Sequence, residues 1–234
     1  MEAVTANQSR EFETEPRMAV VGIGGAGCNA VSDVYWADGS VDTIAINTYR
    51  RALNAANADK KLYICKEVMK GEGTGGDNFL GRRCAKVHAD EIEAALDGYD
   101  AVFIVAGMGG GTGSGVAPVV ADIAVRLNAI TFAILINPFS FETARAAVAR
   151  EGIAQMRAVC RNVVIMENDL ILKNMPHLTM NEAFKAANAS VSRYITGHRR
   201  KMTDVFVNQL IKIEDAIVLS CPAAELQDEI KTLN

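Results

Sequence analysis

The sequence has no apolar run that approaches the ~20 residues a helix needs to cross a membrane. It has no surplus of positive charge either. Its 24 Lys and Arg stand against 28 Asp and Glu, for a net charge of −4, so no broad basic face for nucleic acid is expected. The one basic knot, His198-Arg199-Arg200-Lys201, is short and reads as a solvated helix face. His88, His177 and His198 show no metal-ligand spacing with one another or with cysteine. Five cysteines (Cys28, Cys65, Cys84, Cys160 and Cys221) are scattered without a close pair. Their odd number, and an N-terminal stretch without a signal-peptide pattern, point to a reducing, cytoplasmic setting rather than a disulfide framework. They are expected to be small core or loop residues. No internal repeat or low-complexity segment is present.

What remains is ordinary globular material. The 234 residues are 50% hydrophobic and 22% charged, enough for one large domain or one domain with an appendage. Residues 1–17 are polar and acidic, and a disordered tail is expected there. Short β-rich runs follow at Met18–Ile23, Val41–Ile46, Lys61–Cys65, Asp100–Ala106, Ile130–Ile136 and Asn162–Met166. Helical patterns separate them at Cys28–Trp36, Phe79–Leu96, Gly115–Leu127 and Phe141–Cys160. This alternation predicts an α/β fold, a three-layer doubly wound sheet with mostly parallel strands. Beyond Met166 the pattern changes. Met180–Tyr194 reads as a long helix that can run past Gly197, since Met202–Ile213 is again helical in period. Ala216–Ser220 reads as a further strand, and residues 222–234 as a short polar helix.

Two segments carry chemistry. Gly22-Ile-Gly-Gly-Ala-Gly-Cys-Asn29 follows the first strand and opens a helix. Glycines let the backbone approach a phosphate, and a helix N-terminus offers free N–H groups and a favourable dipole. The pattern is also the dinucleotide fingerprint G-x-G-x-x-G, which alone is a weak signal. That reading requires an acid at the end of the next strand, to hold ribose. The strand ends Ala45-Ile-Asn-Thr48 instead. The second segment, Gly107-Met-Gly-Gly-Gly-Thr-Gly-Ser-Gly115, has six glycines in nine residues. Such a run costs chain entropy, and its N–H groups and hydroxyls suit an anion nest. No Lys-Ser/Thr follows the glycines, so it is not a Walker loop.

Gly109–Gly115 resembles the tubulin signature, and Gly107–Val119 resembles its FtsZ form. Similarity to the tubulin/FtsZ family extends from about Met18 to about Asn188, and it implies a GTP- or GDP-binding domain over residues 18–198. On the first loop it implies nucleotide contacts from Gly24, Gly25, Ala26 and Asn29, and on the Asn-Thr turn from Asn47 and Thr48. Gly71–Asn78 resembles the family loop that senses the γ-phosphate, through Gly73, Thr74, Gly75 and Gly76. The signature itself contributes Gly107, Gly109, Gly110, Gly111, Thr112, Gly113 and Ser114. Asn137–Glu142 resembles the loop in which Pro138 and a ribose-holding Glu142 stand. Asn168 matches the base- and ribose-proximal loop. Phe184 and Asn188 match the start of the central helix, where Phe packs on guanine and Asn reads its edge. Mg2+ is expected only through the phosphates. A homo-oligomer, a dimer first, or an FtsZ-like partner is expected.

The sequence departs from the family at three places. Tyr49 stands where an Asp is usual, and Ala189 stands where FtsZ proteins carry an Asp for guanine. The family's acidic loop, which activates water on a neighbour's nucleotide, is not recognisable in Met202–Asp215. Asp204, Glu214 and Asp215 read as solvated acids. Residues 199–234 form a short helical and strand appendage where the family has a second domain. The expectation is a nucleotide-dependent switch or assembly partner with slow or no intrinsic hydrolysis and no ordinary filament. A GTPase activated by a neighbouring subunit is the alternative, and an NAD-binding oxidoreductase a remote one.

Overall fold

Six short β-rich runs, the central ones apolar on both faces, pack best as the middle layer of a domain. In the computed structural model, which describes residues 15–37, 39–66 and 70–220, they do so. The strands are β1 (Met18–Ile23), β2 (Asp42–Asn47), β3 (Lys60–Tyr63), β4 (Ala101–Gly107), β5 (Ile130–Asn137) and β6 (Asn162–Glu167). They form one sheet in the order β3-β2-β1-β4-β5-β6, and each neighbouring pair is parallel. This is the α/β doubly wound sheet expected from the sequence. Every residue of β1 is buried, as is all of β4 except Gly107.

The helices are α1 (Gly24–Ala37), α2 (Arg50–Ala55), α3 (Asn78–Val87), α4 (Ala89–Leu96), α5 (Gly111–Arg126), α6 (Thr143–Val159), α7 (Asn168–Asn174) and α8 (Met180–Ser220). The central strands and α5 supply most of the core. Phe103, Ile104, Ile123, Ile134 and Leu135 are fully buried there, each worth ~1.5–3 kcal/mol of burial. Phe103 stacks on Phe132 with ring centroids 5.2 Å apart.

Four expectations need correction. The Phe79–Leu96 pattern is two helices, interrupted at His88 (φ −102°, ψ 24°). There the imidazole Nε2 accepts a hydrogen bond from the Cys65 amide at 2.9 Å. Ala216–Ser220 is the end of α8, not a strand. A five-residue apolar run cannot by itself distinguish the two. Arg17, read as tail, is fixed: its amide donates to Asp100 Oδ2 at 2.8 Å and its carbonyl accepts from Asp100 N at 2.9 Å. Finally, Cys65 and Cys84 are joined by a disulfide, with Cα atoms 5.2 Å apart. They are 19 residues apart in sequence, and only the packing of α3 beside the end of β3 brings them together. Cys28 and Cys160 are free and buried. Residues 1–14 of the expected tail, the expected helix over 222–234 and Cys221 lie outside the described residues.

Contacts divide the chain into two units, Arg17–His198 and Met1–Pro16 with Arg199–Asn234. The larger unit contains the sheet and the site below.

Candidate functional site

Strand register decides which loops meet. Ile23 pairs with Ala106 and with Ile46, so the chain leaves β1, β2 and β4 at one level. Gly107 pairs with Ile136, and Asn137 with Glu167, which adds the loops after β5 and β6. All these loops therefore leave the sheet at its carboxyl edge, where ligands bind in open α/β sheets. A cavity of about 350 Å³ opens there, within the range of small-molecule sites.

The two glycine loops lie against each other on one wall of the cavity. Gly24 has φ +72°, a left-handed conformation that favours glycine, and a Cβ there would sit 3.1 Å from Gly113 N. At Gly109 (φ +86°) a Cβ would sit 2.7 Å from Arg145 Cβ. Gly24, Gly25 and Ala26 at the start of α1 line the cavity with Gly107, Gly110, Gly111, Thr112 and Gly113 at the start of α5. Gly110, the N-cap of α5, offers no side-chain cap, so first-turn N–H groups are left for an anion. Below them the Cys28 thiol accepts from Asn47 Nδ2 at 3.5 Å. Burial pushes this thiol up to about 11, although the Asn47 hydrogen bond pulls the other way. It is a packing group, not a nucleophile at neutral pH.

The Asn-Thr turn and the Gly71–Asn78 loop form the next wall. Asn47, Gly73, Thr74, Gly75 and Gly76 line the cavity. Thr48 does not; its hydroxyl is hydrogen-bonded to that of Thr112 at 2.7 Å in a buried pair. Tyr49 forms an isolated bridge with Glu72. Both residues line the cavity.

At the far end stand Pro138, Glu142, Asn168, Phe184 and Asn188. Glu142 Oε2 accepts from Phe139 N at 3.0 Å, and its Oε1 lies 2.8 Å from Arg145 Nη1. Asp169 Oδ1 accepts from Ser140 N at 3.0 Å, which ties α7 to the Pro138 loop. Asn168 is 3% exposed, and its Oδ1 has no hydrogen-bond partner. An orphaned buried acceptor calls for a donor from a ligand or water. Helix α8 starts with a capping box: Glu182 Oε2 accepts from Thr179 N at 2.8 Å and from Thr179 Oγ1 at 2.7 Å. One turn later Phe184 is 46% exposed, edge-to-face on Phe139 with centroids 5.5 Å apart. One further turn places Asn188 in the lining.

The cavity thus gathers most of the residues singled out by sequence. Asn29, Thr48, Gly109 and Ser114 are not in its lining. Asn29 is exposed on α1, and the Ser114 hydroxyl accepts from Gly109 N at 2.9 Å, so those two brace their own loop. Sequence reading missed Glu72, Met108, Ile136, Asn137, Arg145 and Ala187, which also line it. Arg145 is one helical turn beyond Glu142, a signal that was available. Among the described residues no group of three His, Cys, Asp or Glu gathers to hold a metal.

Comparison with known proteins agrees with this geometry. The description "Tubulin/FtsZ family, GTPase domain" matches residues 17–176. Cell division protein FtsZ 2 of Methanocaldococcus jannaschii is 42% identical over 184 residues, 78% of this chain and 48% of that protein. Its namesake from Pyrococcus furiosus is 38% identical over 213 residues, 87% of this chain and 52% of that protein. Among solved structures, an empty FtsZ dimer from M. jannaschii superposes with a TM-score of 0.77 at 36% identity, covering 80% of this chain and 55% of that one. A GTPγS-bound CetZ2 protofilament from Haloferax volcanii superposes with a TM-score of 0.70 at 26% identity, covering 82% and 58%. The chain spans about half the length of the curated relatives it matches. With a family match over most of the ordered sheet and its loops, this chain belongs to the tubulin/FtsZ family and carries that family's GTPase domain.

Proposed function

We propose that the cavity binds GTP and GDP, and that the protein works as a nucleotide-dependent switch or assembly partner with slow intrinsic hydrolysis. The observation that carries the reading is the meeting of two glycine loops over one cavity that also holds Asn188 and a half-exposed Phe184. Phosphates would take the N–H groups at the starts of α1 and α5. Ribose would take Glu142 and the orphaned Asn168 Oδ1. Guanine would stack on Phe184 and pair with the Asn188 amide, which both donates and accepts. Mg2+ would neutralise phosphate charge while bound through phosphate oxygens.

Slow hydrolysis follows from the acids within reach. Transfer of a phosphoryl group to water needs a positioned nucleophile as well as cradled phosphates. Among the described residues, the carboxylates that line the cavity are Glu72 and Glu142. Glu142 is engaged by Phe139 N and Arg145. Tyr49 brings no carboxylate to its place beside Gly73, where the family's Asp is usual. Association into a dimer, in the cytoplasm, completes the proposal; no described helix is long and apolar enough to cross a membrane.

A neighbour-activated GTPase is the second reading, and Glu72 exposed at the rim favours it. Phosphate release under excess GTP, followed over a range of protein concentrations, separates the two. The switch reading predicts a low rate per protein that stays flat. A rate that climbs with protein concentration and vanishes in Glu72→Gln favours the GTPase.

A further inference from the structure

The Cys65–Cys84 disulfide encloses the Gly71–Asn78 loop. Cys65 follows the end of β3, and Cys84 lies on α3, the helix that this loop leads into. Four residues of the enclosed loop, Gly73, Thr74, Gly75 and Gly76, line the cavity. We propose that this disulfide is a redox control on the nucleotide site, in which the oxidised form fixes the loop and reduction weakens nucleotide binding. The proposal rests on the guanine-nucleotide reading above.

The mechanical path from the sulfurs to the cavity is short. Asp77 caps α3 by accepting from Leu80 N at 3.0 Å, and its own amide donates to Thr74 O at 3.0 Å. A Cβ at Gly111, the first residue of α5, would lie 2.7 Å from Asp77 N. A Cβ at Gly115 would lie 2.8 Å from Arg82 N. Thus α3 touches the start of α5 backbone to backbone, and any shift of α3 moves the second glycine loop. On the other side the loop is held lightly, by Arg50 N to Gly71 O at 3.2 Å and by the Tyr49–Glu72 bridge. The disulfide ties α3 covalently to the chain just after β3, at the two ends of the segment that contains the loop.

Cys65 also sits at φ 61°, which a non-glycine residue keeps only when its surroundings hold it. The hydrogen bond from its backbone N–H to His88 Nε2 and its disulfide to Cys84 supply that hold. Freed from Cys84, the residue can relax toward extended backbone and carry the loop with it. Cys65 is 8% exposed and Cys84 0%, so a reductant reaches the sulfurs when the loop opens. A nucleotide that needs the loop closed therefore protects the bond. Linkage makes the effect reciprocal: reduction must weaken the nucleotide by the factor by which the nucleotide opposes reduction.

The chemical step is thiol–disulfide exchange with a dithiol. One reductant thiolate attacks either sulfur and forms a mixed disulfide, releasing the other cysteine as a thiolate that takes up a proton. The second reductant thiol then displaces the remaining cysteine and closes the reductant's own disulfide. Two electrons and two protons pass to the protein.

The test compares air-oxidised protein, the same protein after dithiothreitol, and the Cys65→Ala/Cys84→Ala variant. A non-reducing peptide map reads the bridge, and calorimetric titration with GDP reads the site. The expected result is a bridged Cys65–Cys84 peptide in the oxidised sample and a GDP affinity at least about 5-fold weaker after reduction. The variant should match the reduced protein and ignore dithiothreitol, and saturating GDP should slow reduction of the wild type. Equal GDP affinity in both redox forms overturns the control while leaving the nucleotide reading intact. Absence of a bridged peptide overturns the disulfide itself. Failure of both forms to bind GDP overturns the nucleotide reading and the control together.

Discussion

Asn188 and Cys28 show how burial assigns work to single residues at this site. Asn188 lines the cavity and is one turn from Phe184. Asn188→Ala should weaken GDP about 10-fold, or ~1.4 kcal/mol, and narrow the preference for GTP over ATP. Competition titrations with the two nucleotides check it, and an unchanged preference would remove Asn188 from base recognition. Cys28 lies beneath the same loops with its thiol held neutral by burial. The folded state keeps this proton more tightly than the unfolded chain does. Stability from the buried thiol is therefore whole below its ordinary value of 9.0 and lost as pH climbs toward about 11. In iodoacetamide labelling at about pH 8, Cys28 should stay unmodified in folded protein and react once the chain is unfolded. The sequence placed Cys28 within the first glycine-rich segment, but only its burial beneath that loop shows why it is inert. Glu72 and Arg145 escaped sequence reading. Glu72 meets Tyr49 from another loop, which no local spacing marks, whereas the i,i+3 spacing of Glu142 and Arg145 was the one signal on offer.

At the scale of elements, the strands were the most legible part. Apolar runs bounded by turns predicted all six, and Met18–Ile23 matches β1 residue for residue. Helix ends were less so, because His88 breaks α3 from α4 to satisfy a distant amide, which no local pattern encodes. The short α2 and α7 lack a full period of apolar residues. The α3–α5 crossing was also invisible, since it depends on Gly81 meeting Gly111. A Cβ at Gly81 would overlap the Gly111 carbonyl, with its carbon 3.1 Å away. Gly81→Ala should therefore destabilise the fold by ~1–3 kcal/mol, despite alanine's better helix propensity. Urea denaturation measures it, and a variant as stable as wild type would show that the crossing has slack. Thr179→Ala should act differently. Loss of the α8 capping box frays the turn that carries Phe184, so GDP affinity should fall while the urea midpoint moves little.

For the whole molecule, strand order and register do the assembling. Parallel pairing brings the ends of all six strands to one edge, and the loops that follow build one cavity. Family membership rests on that arrangement together with the match over residues 17–176. The central claim is that the cavity holds guanine nucleotide. It is tested most directly by denaturing the purified protein, identifying the nucleotide released by chromatography, and titrating the emptied, refolded protein with GDP, ATP and NAD. The account predicts GDP or GTP in the released fraction and saturable heat with GDP alone. Release of NAD, or binding of NAD or ATP in preference to GDP, would contradict it.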